Sequence, residues 1–150
     1  MVDVLNRRQM LAAGAMGAAI AVLPHPASAQ TQDVDALARE LMGKVTPKEG
    51  KVRLKIKEVP ESGVNEPIGV SVDSPMLPND YVAAIHVLAE GNPYPVIASW
   101  YLTPRSGRAE VNFRLRLAKS QVVRAYAVTS DGQVWVARQE VKVTIGGCGG

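Results

Sequence analysis

Lys51-Val52-Arg53-Leu54-Lys55-Ile56-Lys57 alternates at every position, with Val52, Leu54 and Ile56 on one side and four cations on the other. Successive side chains of an extended chain point to opposite faces, so this stretch predicts a strand with one dry face and one wet face. The same period returns downstream, where Ala109, Val111, Phe113, Leu115 and Leu117 alternate with Glu110, Asn112, Arg114 and Arg116. Further apolar runs span Pro67 to Val72, Tyr81 to Ala89, Pro95 to Leu102, Gln121 to Thr129 and Val134 to Ile145. The last of these has the length for a bulge or for two strands. The runs are separated by turn-forming clusters: Asp73-Ser74-Pro75, Pro78-Asn79-Asp80, Glu90-Gly91-Asn92-Pro93, Pro104-Arg105-Ser106-Gly107 and Ser130-Asp131-Gly132. Glycine, proline and aspartate in such clusters supply the φ values and local hydrogen bonds that reverse a chain. About seven short strands at this spacing predict an all-β fold, an antiparallel β-sandwich over residues 49–145.

Ahead of the strands, Val34, Leu37, Ala38, Leu41 and Met42 fall on one stripe of a helix. Asp33 or Thr31 can cap its start and Gly43 its end, with Pro47 closing the turn. The expectation is one short helix within a helix-and-linker segment, residues 30–48, covering an edge or end of the sandwich. Trp100, Tyr101, Phe113 and Trp135 are few enough to be core anchors.

The first 29 residues read differently. Asn6-Arg7-Arg8-Gln9-Met10-Leu11 is a twin-arginine region followed by a mild apolar run to Leu23. Pro24 and Pro26 interrupt any helix, and Ala27-Ser28-Ala29 is an A-x-A cleavage site. The run is shorter than the roughly 20 residues needed to span a bilayer. Residues 1–29 are therefore expected to be a Tat signal peptide, with Arg7 and Arg8 as its signature and cleavage at Ala27 and Ala29. The mature chain then begins near Gln30 in the periplasm, with no membrane association after signal removal. Losing Arg7, Arg8 and Asp3 takes the formal charge from +3 to +2. The remaining lysines and arginines are spread along the strands, which argues against nucleic acid as a partner.

Only two histidines and one cysteine occur, and His25 leaves with the signal. A zinc-type site needs about four ligands, so no metal and no cofactor is expected. His86 lies inside an apolar run and reads as a packed or hydrogen-bonded strand residue. No G-x-G-x-x-G, P-loop, C-x-x-C or H-E-x-x-H motif is present. No self-sufficient catalytic site is visible, so the chain is not expected to be an enzyme.

That leaves Cys148, flanked by Gly146, Gly147, Gly149 and Gly150. Exported proteins usually pair their cysteines, so an odd one implies an intermolecular disulfide or a thiol kept for chemistry. Glycines on both sides give the thiol a sterically bare tether with little reason to pack. Residues 146–150 thus read as a flexible carrier arm, with Cys148 as the point of covalent substrate attachment. At a reference pKa near 8.5 only a few per cent of such a thiol is ionised at neutral pH, so its activation is expected from the active site that receives it.

The ending Val141-Lys142-Val143-Thr144-Ile145-Gly146-Gly147-Cys148-Gly149-Gly150 resembles that of the SoxY family, the cysteine-bearing subunit of the thiosulfate-oxidising sulfur carrier. The likeness extends through Ser71 to Met76, Tyr81 to Asn92, Ser130-Asp131-Gly132 and the twin-arginine leader. It implies an immunoglobulin-like sandwich, a heterodimer with a SoxZ-like subunit, and sulfur carried covalently on Cys148. It further implies transient docking with a c-type cytochrome complex that joins thiosulfate to the thiol, a hydrolase that releases sulfate, and a sulfane dehydrogenase. Three other readings compete: an exported structural sandwich dimerising through a Cys148 disulfide, a thiocarboxylate carrier of the ubiquitin-like type, and an enzyme using Cys148 with His86 as base.

Overall fold

A computed structural model of the protein describes residues 33–144. Helix α1 (Val34–Met42) starts at Asp33, whose carboxylate accepts the Asp35 backbone N–H at 2.9 Å, and ends at Gly43, where φ is +77°. Seven strands follow: β1 (Val52–Lys55), β2 (Glu66–Val72), β3 (Val82–Ala89), β4 (Val96–Tyr101), β5 (Glu110–Leu115), β6 (Gln121–Thr129) and β7 (Val134–Val141). A short 3₁₀ turn at Pro104–Ser106 joins β4 to β5.

The strands form two antiparallel sheets, β1-β2-β5 and β4-β3-β6-β7. Their inner faces supply the alternating apolar residues expected from the sequence. Val70, Ile85, Val87, Val123, Ala125 and Ala127 are fully buried between them. Trp100 and Phe113 bridge the sheets, with ring centroids 4.7 Å apart. Pro67 sits on the middle strand of the smaller sheet, where proline would normally cost a ladder bond. There β2 pairs with Arg114 of β5 only, because the β1 pairing stops at Lys55 opposite Gly69.

β3 is the spine of the larger sheet, buried from Ala84 to Ala89. Its inward side chains enter the sandwich and its outward ones meet α1. Val34 and Ala38 of the helix cluster with Leu88, Tyr126, Val134 and Val136. The helix therefore lies on the outer face of the four-stranded sheet and not at an edge or end of the sandwich. That face is apolar on β3, β6 and β7, so it needs a cover, and the stripe on α1 is the matching surface.

Other expectations need correction. Tyr101 is 78% exposed and anchors no core. Trp135, by contrast, does pack against the core as expected, partly buried at its rim with the Lys48 and Lys51 ammonium groups 5.9 and 5.0 Å from its ring centroid. The register shifts fall on β3, at Val87/Leu88 against β4 and at Val82/Ala84 against β6, and not in the last strand: β7 pairs with β6 without interruption from Val134 to Val141. The β6–β7 turn follows its sequence signal, with Gly132 at φ +79° and the Thr129 and Gln133 backbones closing the loop.

Candidate functional site

The sandwich ends where β7 ends, and the three residues that follow are tied to the rest of the domain. Lys142 N donates to Glu58 O at 2.7 Å, Val143 N to Ser120 Oγ at 3.0 Å, and Thr144 Oγ1 to Pro60 O at 3.1 Å. Pro60 is fully buried, and Leu117 N donates to Gly63 O at 2.7 Å. A Cβ on Gly63 would lie 2.4 Å from Leu117 O, so only glycine permits this close crossing. The segment from Glu58 to Gly63 thereby acts as a strap that fixes the root of the C-terminal tail.

Beside that root is a recess of about 260 Å³, lined by Ser62, Gly63, Val64, Arg116, Leu117, Ala118, Val143 and Thr144. Val64 is exposed, and Arg116 forms no salt bridge among the described residues. The tail root thus borders an apolar wall and one cation. Nearby, Glu66 opens β2 with its carboxylate buried and Oε2 without a hydrogen-bond partner. Parity could have revealed this burial, since Ile68, Val70 and Val72 point inward and place position 66 on the same side. Arg116 carried no local signal, because its position at the recess depends on the strap.

The proposed attachment residue Cys148 and its neighbours Gly146, Gly147, Gly149 and Gly150 lie outside the described residues, as do Arg7, Arg8, Ala27 and Ala29. His86 is described and is 2% exposed. Its Nδ1 lies 2.7 Å from Ser99 Oγ on the adjacent strand, and its ring meets Tyr101 edge-on at 6.1 Å. Burial pushes its imidazole below the ordinary value of 6.5. Among the described residues it has no carboxylate salt-bridge partner, and it serves as a packed, hydrogen-bonded strand residue.

The charged network that does form is structural. Arg124 Nη1 contacts Asp35 at 2.6 Å and Tyr126 Oη at 3.3 Å, while Nε donates to Glu90. Partial burial works against its charge, but the bonds to Tyr126, Asp35 and Glu90 prevail and hold the guanidinium above its ordinary range. This residue ties α1 to β6 and to the turn after β3. Among the described residues, no group of three or more His, Cys, Asp or Glu side chains is placed to hold a metal. No described helix is long and apolar enough to cross a membrane.

Fold and site together define an immunoglobulin-like β-sandwich that straps down the root of a cysteine-bearing tail. The chain belongs to the sulfur oxidation protein SoxY family, whose model matches residues 38–148. Among solved structures it is similar to the sulfur carrier protein SoxY from Chlorobium limicola f thiosulfatophilum, at 27% identity and a TM-score of 0.63, covering 75% of this chain and 96% of that one. Superoxide reductase (neelaredoxin) from Ignicoccus hospitalis is similar at 24% identity and a TM-score of 0.56, covering 63% and 81% of the two chains. The superoxide reductase from Nanoarchaeum equitans follows at 13% identity and 0.54, covering 64% and 100%. The last two show a shared fold alone. No curated protein matches the sequence.

Proposed function

We propose that this protein is a periplasmic sulfur carrier that holds thiosulfate-derived intermediates on Cys148 and presents them to successive enzymes of sulfur oxidation. The observation that carries this reading is that the family match runs through the only cysteine of the chain and ends on it. The twin-arginine leader supports export by the Tat pathway. The strap at Glu58 to Gly63 supports a carrier design: the tail is anchored at Thr144, and four further residues reach at most about 14 Å.

The chemistry makes and breaks sulfur–sulfur bonds at the cysteine, with oxidants supplied by partner proteins. The Cys148 thiolate and thiosulfate combine into a cysteine S-thiosulfonate, and two electrons leave to a c-type cytochrome complex. Water then cleaves the terminal sulfonate as sulfate with release of two protons, leaving a persulfide on Cys148. A sulfane dehydrogenase then oxidises the outer sulfur to a sulfonate with oxygen from three waters, releasing six protons and passing six electrons to a c-type cytochrome, and a second hydrolysis releases sulfate and restores the Cys148 thiolate. The carrier supplies attachment and delivery, the enzymes supply the acid–base and redox groups, and tethering raises the local concentration of each intermediate. A SoxZ-like subunit is the stable partner in this scheme.

The test is the intact mass of the protein purified natively from sulfur-oxidising cells, with and without reductant. Reductant-labile adducts of whole sulfur atoms or thiosulfonate, mapped to Cys148, are expected. An unmodified thiol or a plain homodisulfide, unchanged by thiosulfate and cell extract, would overturn the proposal.

A further inference from the structure

The cations spread along the sequence come together in space. In the smaller sheet Arg53 lies opposite Ser71, which lies opposite Glu110; Lys55 lies opposite Gly69, which lies opposite Asn112; Pro67 lies opposite Arg114. The alternate set, Val52, Leu54, Ile68 and Val70, points into the core. The outward face therefore has a low floor on its middle strand, made by Pro67, Gly69 and Ser71. Arg53 and Lys55 stand on one side of it and Arg114 on the other. A hollow of about 420 Å³ runs between Lys55 and Arg114.

Among the described residues none of those three cations forms a salt bridge, although Arg53 shares a neighbouring hollow with Asp73 and Glu110 as well as Arg108. The salt bridges there involve only Arg124 and Arg138, both on the other sheet. Glu110 is the one carboxylate on these three cross-strand rows, and its Oε1 accepts a hydrogen bond from Asn112. Protection of an open sheet edge accounts for cations on β1. It does not account for Arg114 facing them across a hollow, nor for a middle strand without a long side chain. The whole chain carries a formal charge of only +3, so this face concentrates positive charge that the molecule otherwise balances.

We propose that the outer face of the β1-β2-β5 sheet is a docking surface for the acidic surface of partner proteins. The occupant follows from charge and from what the face lacks. No aromatic side chain points outward from it to stack on a nucleic-acid base, and no large apolar side chain projects from it into a lipid interface. A cationic hollow between rigid strands suits carboxylates on a folded protein, with electrostatics speeding encounter and setting orientation. That these partners are the enzymes acting on the carried sulfur rests on the proposed function; the charged face itself does not.

Natively purified protein is titrated with labelled poly-L-glutamate, with phosphatidylglycerol-containing vesicles and with single-stranded DNA, at low and at physiological salt. Saturable, salt-sensitive binding of polyglutamate is expected, tighter than to vesicles or DNA. Arg53→Glu with Arg114→Glu is expected to weaken it about tenfold or more. Ser71→Glu, which adds one carboxylate to the floor and removes no cation, weakens it in the same direction. Lys44→Glu, beyond the end of α1, leaves it unchanged. Binding that survives both face variants, an equal loss in the Lys44 variant, or a preference for vesicles or DNA would overturn the proposal. The assay does not use the thiol, so a native Cys148 found without sulfur would defeat the carrier reading and leave this result standing.

Discussion

The two sheets share one alternation and solve their outer faces in opposite ways. On β4-β3-β6-β7 the outward residues include Leu88, Tyr126, Val134 and Val136, and α1 covers them until they are nearly inaccessible. On β1-β2-β5 the outward residues include Arg53, Lys55, Ser71, Glu110 and Arg114, which stay wholly or partly open to solvent. The first face is a second small core. The second is left to solvent and to whatever binds there. A strand with one dry face can use the other for stability or for contact, and this molecule assigns one sheet to each.

The strongest way to break the comparison is to remove a large side chain from under the helix. Leu88→Ala is expected to cost about 2–5 kcal/mol, because the site sits between sheet and helix and cannot fully collapse. Ser71→Ala at an outward position of the other sheet is expected to stay within about 0.5 kcal/mol. Urea denaturation of both variants measures the gap. Equal losses would mean that the helix-covered face is not a core.

The covered face also contains the titratable group that separates the sheets by pH. His86 is buried with its pKa below 6.5, so the unfolded chain takes up a proton before the folded one does. Its contribution leaves stability unchanged above about pH 6.5. Stability is then lost as pH falls from 6.5 toward the lowered folded value, with a slope of at most about 1.4 kcal/mol per pH unit. Denaturation midpoints of wild type and His86→Gln across pH 5 to 8 test this. The wild-type curve is expected to fall on the acid side and the variant curve to be flatter. Parallel curves would sink the assignment.

What the sequence made legible was local. The period of two placed the strands, and β6 occupies the run from Gln121 to Thr129 end to end. Turn chemistry placed the β6–β7 reversal, and the helical stripe and its caps placed α1. Most of the misses were relations between distant segments. β7 stops at Val141 because Lys142 and Val143 bond to Glu58 and Ser120 instead of continuing the ladder. Tyr101 is exposed because it points outward from β4 beyond the cover of α1, and aromatic character alone does not state a face. Burial of Glu66 follows from strand parity, although the apolar run itself begins only at Pro67. The gathering of Arg53, Lys55 and Arg114 depends on register, which no single segment encodes.

A milder change loosens the cover without touching its buried face. Asp33 caps α1 by accepting the Asp35 N–H. Asp33→Ala is expected to cost about 1 kcal/mol, as lost caps do. Hydrogen exchange should quicken within Val34–Met42 and stay unchanged in β1, β2 and β5. Acceleration spread evenly over both sheets would show that helix and sandwich unfold as one unit.

The smallest expected effect is the sharpest for the comparison. Arg53→Glu with Arg114→Glu reverses two exposed charges in the smaller sheet and removes no buried contact. Surface changes of this kind stay within about ±0.5 kcal/mol each. The original like charges also repel, so relieving them offsets part of any loss. Thermal melting at two salt concentrations should place the variant beside the wild type, with a slightly higher midpoint for the variant at low salt. A loss as large as that of Leu88→Ala would mean that the cations hold the sheet together, and the uncovered face would then be a structural element like its counterpart. A near-silent result leaves those cations without a folding role, which is the pattern of a surface maintained for contact.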